Sequence, residues 1–204
     1  MKGSDSNAAQ GRERVGVLGG SFDPVHLGHL VIAQDAAEAL ALDRVVFMPA
    51  CRAPLKERPH RVSEWARYEL VRLAIEGNPR FEVSDLELRR GGESYTIDTA
   101  RELRRLSPRA DLFWIVGADQ AARLAEWRAI EALAELVQFA VVTRPGFPAV
   151  EVKTVPGLRL HPVRGHMMEI SSSEIRERIR TGRPIRYFLP EKVYARIEAD
   201  SLYR

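Results

Sequence analysis

The fold is decided by RVGVLGG, residues 14–20, running directly into SFDPVHLGHL, residues 21–30. A valine-rich run closed by two glycines reads as a buried strand that ends in a turn. Pro24 fixes the chain, and LGHLVIAQDAAEALAL (27–42) reads as a helix rich in Ala and Leu. RVVFMPA (44–50) reads as a second strand, stopped at Pro49. Strand, glycine turn, helix and strand in so short a stretch form a βαβ unit, whose helix is the crossover between parallel strands.

The same alternation continues along the chain. Trp65, Tyr68, Val71 and Ile75 mark the apolar stripe of a helix near 62–77. FEVSDLEL (81–88) reads as a strand, YTIDTARELRRL (95–106) as a helix and DLFWIVGA (111–118) as a strongly apolar strand. A helix with a break covers 119–136, and VQFAVVTR (137–144) is another strand. GLRLHPV (157–163) is a shorter one. Helices near 172–181 and 190–199 close the pattern, the second with Pro190 in its first turn. The expected fold is therefore α/β: a Rossmann-like, doubly wound, mainly parallel sheet with helices on both faces. In such sheets ligands bind at the carboxyl ends of the strands, where the strand order reverses. The domain reading is a flexible extension over 1–13 and a single domain over 14–204, helical from about 170. PACRAPLKERPHR (49–61), with three prolines and several basic side chains, reads as a loop.

Composition sets the outer limits. A chain of 204 residues that is 45% hydrophobic can build a substantial core. Its net charge is +3 and its pI about 9.2, a balance that suits phosphate-bearing ligands without marking a nucleic-acid binder. Cys51 is the only cysteine, which excludes an intrachain disulfide and fits a reducing cytoplasm. No apolar run is long enough to span a bilayer, and MKGSDSNAAQGRER lacks the apolar middle of a signal peptide. The expected location is cytoplasmic, with no membrane and no nucleic-acid partner.

The chemistry concentrates at both ends of the chain. His26 and His29 stand three residues apart at a helix start, on one side of its first turn, with Gly28 between them. A helix N-terminus offers free N–H groups and a positive dipole end, and imidazole donors add to it. A zinc site needs further ligands that no nearby cluster supplies. A dinucleotide-binding turn needs G-x-G-x-x-G, whereas the glycines here fall at 16, 19 and 20. Near the other end, EISSSEIRERIR (169–180) starts a helix with Ser171 and Glu174 at capping-box spacing. Ile175 and Ile179 form its apolar stripe, while Arg176 and Arg180 share another face. On its own this is either a capped amphipathic helix or an anion cradle.

The complete stretch GGSFDPVHLGHL resembles the G-x-F-D-P-x-H-x-G-H signature of the nucleotidylyltransferases, and ISSSEIR is similar to their I-S-S-[ST]-x-I-R. SYTIDT (94–99), WIVGADQAARLAEW (114–127) and VVTRPG (141–146) resemble the bacterial nicotinate-mononucleotide adenylyltransferases within that superfamily. The resemblance implies transfer of AMP from ATP to nicotinate mononucleotide, giving deamido-NAD and pyrophosphate. It places Gly19, Gly20, Ser21, Phe22, His26, Gly28, His29, Gly117, Asp119, Ser172, Ser173 and Arg176 at ATP. It places Tyr95, Thr96, Asp119 and Trp127 at nicotinate mononucleotide. His26, His29, Lys56 and Arg176 are the implied catalytic groups. Leu55 stands where the family often has histidine, so only Lys56 of that loop is assigned to phosphate. Mg2+ is expected as a passenger of ATP, with no residue assigned as a metal ligand. Asp23 reads as shaping the turn before Pro24. The alternatives are a nucleotidylyltransferase for another acceptor, such as phosphopantetheine, and a non-catalytic nucleotide- or RNA-binding protein.

Overall fold

A computed structural model describes residues 11–54, 61–143, 155–166 and 168–204. Six strands form one sheet: β1 (Arg14–Gly20), β2 (Arg44–Pro49), β3 (Phe81–Val83), β4 (Asp111–Gly117), β5 (Gln138–Thr143) and β6 (Leu160–Arg164). Their order is β3-β2-β1-β4-β5-β6, and every pairing is parallel. The chain winds outward from β1 in one direction, returns to β4, and winds outward in the other. The strand order therefore reverses between β1 and β4, where a crevice opens at their carboxyl ends.

The central strands are apolar throughout because both sheet faces are covered. Alternate side chains feed two cores. Leu18 of β1, Val45 and Phe47 of β2, and Phe113 and Ile115 of β4 point to one face. Val15, Val17, Val46, Met48, Leu112, Trp114 and Val116 point to the other. The first face is covered by α1 (Leu27–Ala39), α2 (Glu64–Ile75), α7 (Ser172–Arg180) and α8 (Glu191–Ala199). The second carries α4 (Thr96–Leu106), α5 (Ala118–Ala121) and α6 (Ile130–Leu136). A short helix, α3 (Leu86–Arg90), precedes α4. Ile175, Val193 and Ile197 bury themselves in the first core, so the chain's last helices pack as part of it.

Several sequence expectations change in detail. The strand expected over 81–88 ends at Val83, because Ser84 Oγ accepts the Leu86 N–H at 3.3 Å and turns the chain into α3. The broken helix of 119–136 is α5, a 3-10 turn over Leu124–Glu126, and α6, which starts after Ala129 adopts a left-handed φ of 52°. α1 ends at Ala39 rather than 42. Pro190 is the N-cap of α8, just before the first turn. Residue Glu13, placed in the flexible extension, accepts the Asp111 N–H through its carbonyl at 2.7 Å and pairs with Arg44. No helix among the described residues is long and apolar enough to cross a membrane.

Candidate active site

Both glycines at the end of β1 lie in tight surroundings. A Cβ on Gly19 would stand 3.3 Å from the Trp114 indole, whose ring fills the space beside the strand end. Pairing of β1 with β4 runs as far as Val17 with Trp114, three residues before each strand ends, at Gly20 and at Gly117. The Gly20 carbonyl accepts the Ala50 N–H at 2.9 Å, which draws the end of β2 in as well.

α1 starts immediately after this turn, with His26 as N-cap in extended conformation. The His26 N–H donates to His29 Nδ1 at 3.2 Å, and the His29 N–H to the His26 carbonyl at 3.0 Å. With Nδ1 accepting, a neutral His29 carries its proton on Nε2. The two rings stack with centroids 3.8 Å apart. His26 is only 6% exposed, and burial lowers its pKa from 6.5 to about 4, so it is neutral at physiological pH. Two imidazolium rings at that separation would repel. Phe22 lies in the core and meets the edge of His29 at 5.0 Å, supporting the ring from behind. A Cβ on Gly28 would stand 3.1 Å from two ring atoms of His26, so glycine makes room for the stacked pair.

α7 begins against the same loop. Ser171 caps it by accepting the Glu174 N–H at 3.1 Å, as its spacing requires. Ser172 Oγ donates to the Pro24 carbonyl at 2.8 Å. Arg176 donates to the Asp23 carbonyl at 2.6 Å and to Ser173 Oγ at 3.1 Å. Residues from two segments about 150 positions apart are thus hydrogen-bonded into one cradle with two helix starts. Arg180, on the far face, pairs with Glu177 and stays exposed.

Beneath the cradle lies a set of charges that the sequence did not disclose. Arg67 of α2 is fully buried, and its guanidinium donates to the Ser21 and Ala50 carbonyls, each at 2.6 Å. It ties the turn after β1 to the turn after β2. Burial works against its charge, and the nearby Asp23 carboxylate supports it. Asp23 accepts the Arg61 N–H at 3.2 Å and lies 3.9 Å from Arg176. The Tyr203 hydroxyl is buried close to the same carboxylate. Burial first, and the Asp23 charge second, push the Tyr203 pKa up. Asp23 therefore does more than shape the turn: it is the negative centre of this set.

The remaining assigned residues line the second face. Tyr95 is the N-cap of α4 and supplies no side-chain cap; its carbonyl accepts the Asp98 N–H at 3.1 Å, which leaves the Thr96 and Ile97 N–H groups at the helix start for a ligand. Thr96 is the first helical residue, and the guanidinium of Arg128 lies 4.4 Å over the Tyr95 ring. Trp127 is half-buried against the core and meets Phe139 edge-on at 6.1 Å. Gly117 caps the short α5, and Asp119 stands exposed in its first turn. α5 follows β4 directly, and the start of α4 is tied to the chain leaving β2 by the Ser94 N–H to the Arg52 carbonyl at 2.8 Å, so both lie at the carboxyl end of the sheet with His26 and Arg176. Lys56 and Leu55 lie outside the described residues.

A parallel sheet with two helix starts, paired imidazoles and an arginine at its switch point defines a protein that binds nucleotide phosphates. The chain belongs to the cytidylyltransferase-like family, whose model matches residues 17–178, and within it to the nicotinate-nucleotide adenylyltransferases. An Opitutus terrae protein described as "Probable nicotinate-nucleotide adenylyltransferase" is 49% identical over 191 residues, covering 94% of this chain and 98% of its own. A Thermus thermophilus protein with the same description is 48% identical, covering 94% of this chain and 100% of its own. Among solved structures, Plasmodium falciparum nicotinic acid mononucleotide adenylyltransferase complexed with NaAD superposes with a TM-score of 0.74 at 17% identity. That match covers 94% of this chain and 98% of the other, and bears on the fold.

Proposed function

We propose that this protein transfers AMP from ATP to nicotinate mononucleotide, forming deamido-NAD and releasing pyrophosphate, a step of NAD biosynthesis in the cytoplasm. The observation that carries this reading is the cradle in which Arg176 and Ser172 of α7 bond to the Asp23 and Pro24 carbonyls beside His26. In this reading residues 14–204 act as one catalytic domain, with 1–13 an extension.

A phosphate oxygen of the mononucleotide attacks the α-phosphorus of ATP. The new P–O bond forms as the bond to the bridging α–β oxygen breaks, and pyrophosphate leaves. The nucleophile is already ionised at neutral pH, so no strong general base is required. Catalysis is alignment and stabilisation of charge. His26, neutral at physiological pH, and His29 donate to the α- and β-phosphates. Arg176 and the N–H groups at the start of α7 hold the β- and γ-phosphates. Lys56 offsets charge on the departing pyrophosphate. Gly19, Gly20 and Ser21 let ATP approach the backbone, while Gly117 and Asp119 stand at the neighbouring strand end. Phe22 acts through His29. Mg2+ would arrive with ATP, and Asp23, the carboxylate beside the cradle, faces Arg176 and the Arg61 N–H.

Nicotinate mononucleotide rests at Tyr95, Thr96 and Trp127. The uncapped start of α4 presents N–H donors to the ring carboxylate, and the dipole adds to them. A carboxamide would turn its own NH2 toward those donors. One or two such mismatches cost about 1–3 kcal/mol each, so nicotinate mononucleotide is preferred over nicotinamide mononucleotide by roughly ten- to 10⁴-fold in kcat/KM. The test is ATP and Mg2+ with both mononucleotides and phosphopantetheine, read by product mass and pyrophosphate release. Equal efficiency with nicotinamide mononucleotide defeats the acceptor assignment, and turnover of phosphopantetheine alone defeats the function.

A further inference from the structure

The underside of α4 carries a polar network that the roles above leave unused. Thr99, one turn into α4, is fully buried. Its hydroxyl donates to Glu87 Oε1 at 2.6 Å and accepts from Arg90 Nη2 at 2.9 Å. Glu87, on α3, is itself 4% exposed, and Arg90 lies 4.0 Å from its carboxylate. The Ser94 hydroxyl lies near enough to Glu87 to favour its charged form. Ser94 Oγ in turn accepts the Cys51 N–H at 2.9 Å, and the Ser94 N–H donates to the Arg52 carbonyl at 2.8 Å. Burial raises the Glu87 pKa, and the two hydroxyls and Arg90 oppose that rise.

Burying a carboxylate costs stability that an apolar residue would not lose. What the network supplies in return is geometry. Glu87 grips α4 from both sides of its start: Ser94 precedes Tyr95, and Thr99 follows Thr96. The same hydroxyl of Ser94 reaches the chain leaving β2, on the way to Lys56. If packing were all that α4 needed, alanine or valine at 99 would fill the space beside Ile97 and Ala100, which are buried in the same core.

We propose that Glu87, Ser94 and Thr99 are positioning residues that fix the start of α4 against the loop after β2 and thereby set the discrimination for an anionic pyridine ring. This rests on the acceptor assignment made for Tyr95 and Thr96. The network touches no substrate. It acts by holding the first-turn N–H groups where a carboxylate meets them.

The test uses the full chain with Thr99→Val, which keeps the shape and loses the hydroxyl, Thr99→Ser, which restores it, and Glu87→Gln. Thr99→Val should raise KM for nicotinate mononucleotide by roughly ten- to 100-fold, the scale of one lost hydrogen bond to a charged group. KM for ATP should stay within about twofold, the scale of a mutation that leaves triphosphate contacts intact. The preference over nicotinamide mononucleotide should narrow by the factor seen in KM. Thr99→Ser should recover most of the loss, and Glu87→Gln should follow Thr99→Val. Amide hydrogen exchange without substrates gives an independent readout: the bonded amides of Tyr95, Asp98 and residue 99 should exchange faster in Thr99→Val and Glu87→Gln, and the start of α7 should not. Unchanged exchange at those three amides, or equal losses for both substrates, overturns the positioning role. If Thr99→Val does not fold, Glu87→Gln decides by the same readouts. A wild type that prefers nicotinamide mononucleotide overturns the acceptor assignment instead, whatever the exchange data show.

Discussion

His26 should titrate far below an ordinary histidine, and that shift should be measurable as a loss of stability in acid. In the folded protein burial lowers its pKa to about 4. In the unfolded chain it titrates near the ordinary histidine value of about 6.5. Between those two values the unfolded state holds the proton and the folded state does not. Stability therefore rises with pH through this window. The contribution is complete above about pH 6.5 and is lost as the pH falls toward 4. Over the full window it is worth about 3 kcal/mol, and by about pH 4.5 some 2.5 kcal/mol of it is gone.

Carboxylates titrate in the same range, so the useful quantity is a difference of differences. Urea unfolding of the wild type and of His26→Gln at about pH 7.5 and about pH 4.5 supplies it. The wild type should lose about 2.5 kcal/mol more than the variant, a midpoint difference of roughly 1 M at a slope of about 2 kcal/mol/M. NMR titration should find the His26 ring still neutral at about pH 5.5. ATP should raise its pKa, because an anion beside the ring favours imidazolium. Parallel acid limbs, or a ring that titrates at the ordinary value, would show that His26 is not held as a neutral donor.

Arg67→Met should be strongly destabilising, because it leaves the buried Ser21 and Ala50 carbonyls without donors at about 1–3 kcal/mol each. Thermal or urea unfolding reads this directly, and a change below about 1 kcal/mol removes Arg67 from the support of the two turns. Gly28→Ala should leave the melting temperature nearly unchanged, since alanine gains about 1 kcal/mol of helix propensity. It should slow turnover by roughly tenfold or more, because its Cβ displaces the His26 ring. Wild-type turnover in that variant would mean that the ring position does not matter.

The central strands were legible in the sequence for a physical reason. β1, β2, β4 and β5 are covered on both faces, so each is a continuous apolar run closed by glycine, proline or a polar turn. FEVSDLEL misled because its apolar and polar residues alternate like a strand, while Ser84 offers a local cap to the Leu86 N–H that only the backbone path reveals. The broken stretch 119–136 showed its break in neither glycine nor proline; Ala129 takes the left-handed conformation. The two histidines and the Ser-Ser-Ser helix start were legible only as complete motifs, because a serine at a helix start is by itself most often a plain cap, as Ser171 is here. Arg67 was not. In EWARYELVRL an arginine looks like a solvated helix residue, and only the meeting of two loop carbonyls at its guanidinium shows otherwise. Tyr203 was hidden in the same way, by a tail whose last turn brings it back to Asp23.

The meeting of α1 and α7 explains why the two sequence motifs belong together. One helix start offers about half a positive charge, and its reach ends within the first turn. Two starts that face a common point offer about twice that, with Arg176 adding a full charge beside them. Convergence has to be enforced, because like dipole ends repel. The side chains of the second motif supply the enforcement: Ser172 and Arg176 spend hydrogen bonds on the Pro24 and Asp23 carbonyls. The Ile170 carbonyl comes to 3.8 Å of the Cβ position of Gly28, ordinary van der Waals contact, so an alanine there would press on the His26 ring and leave this junction in place. The Ser172 hydroxyl proton is thus committed to the fold. What α7 has left for an anion is its backbone N–H groups and the outer face of Arg176, and Ser172→Ala should disturb the angle between two helices before it removes any contact to phosphate.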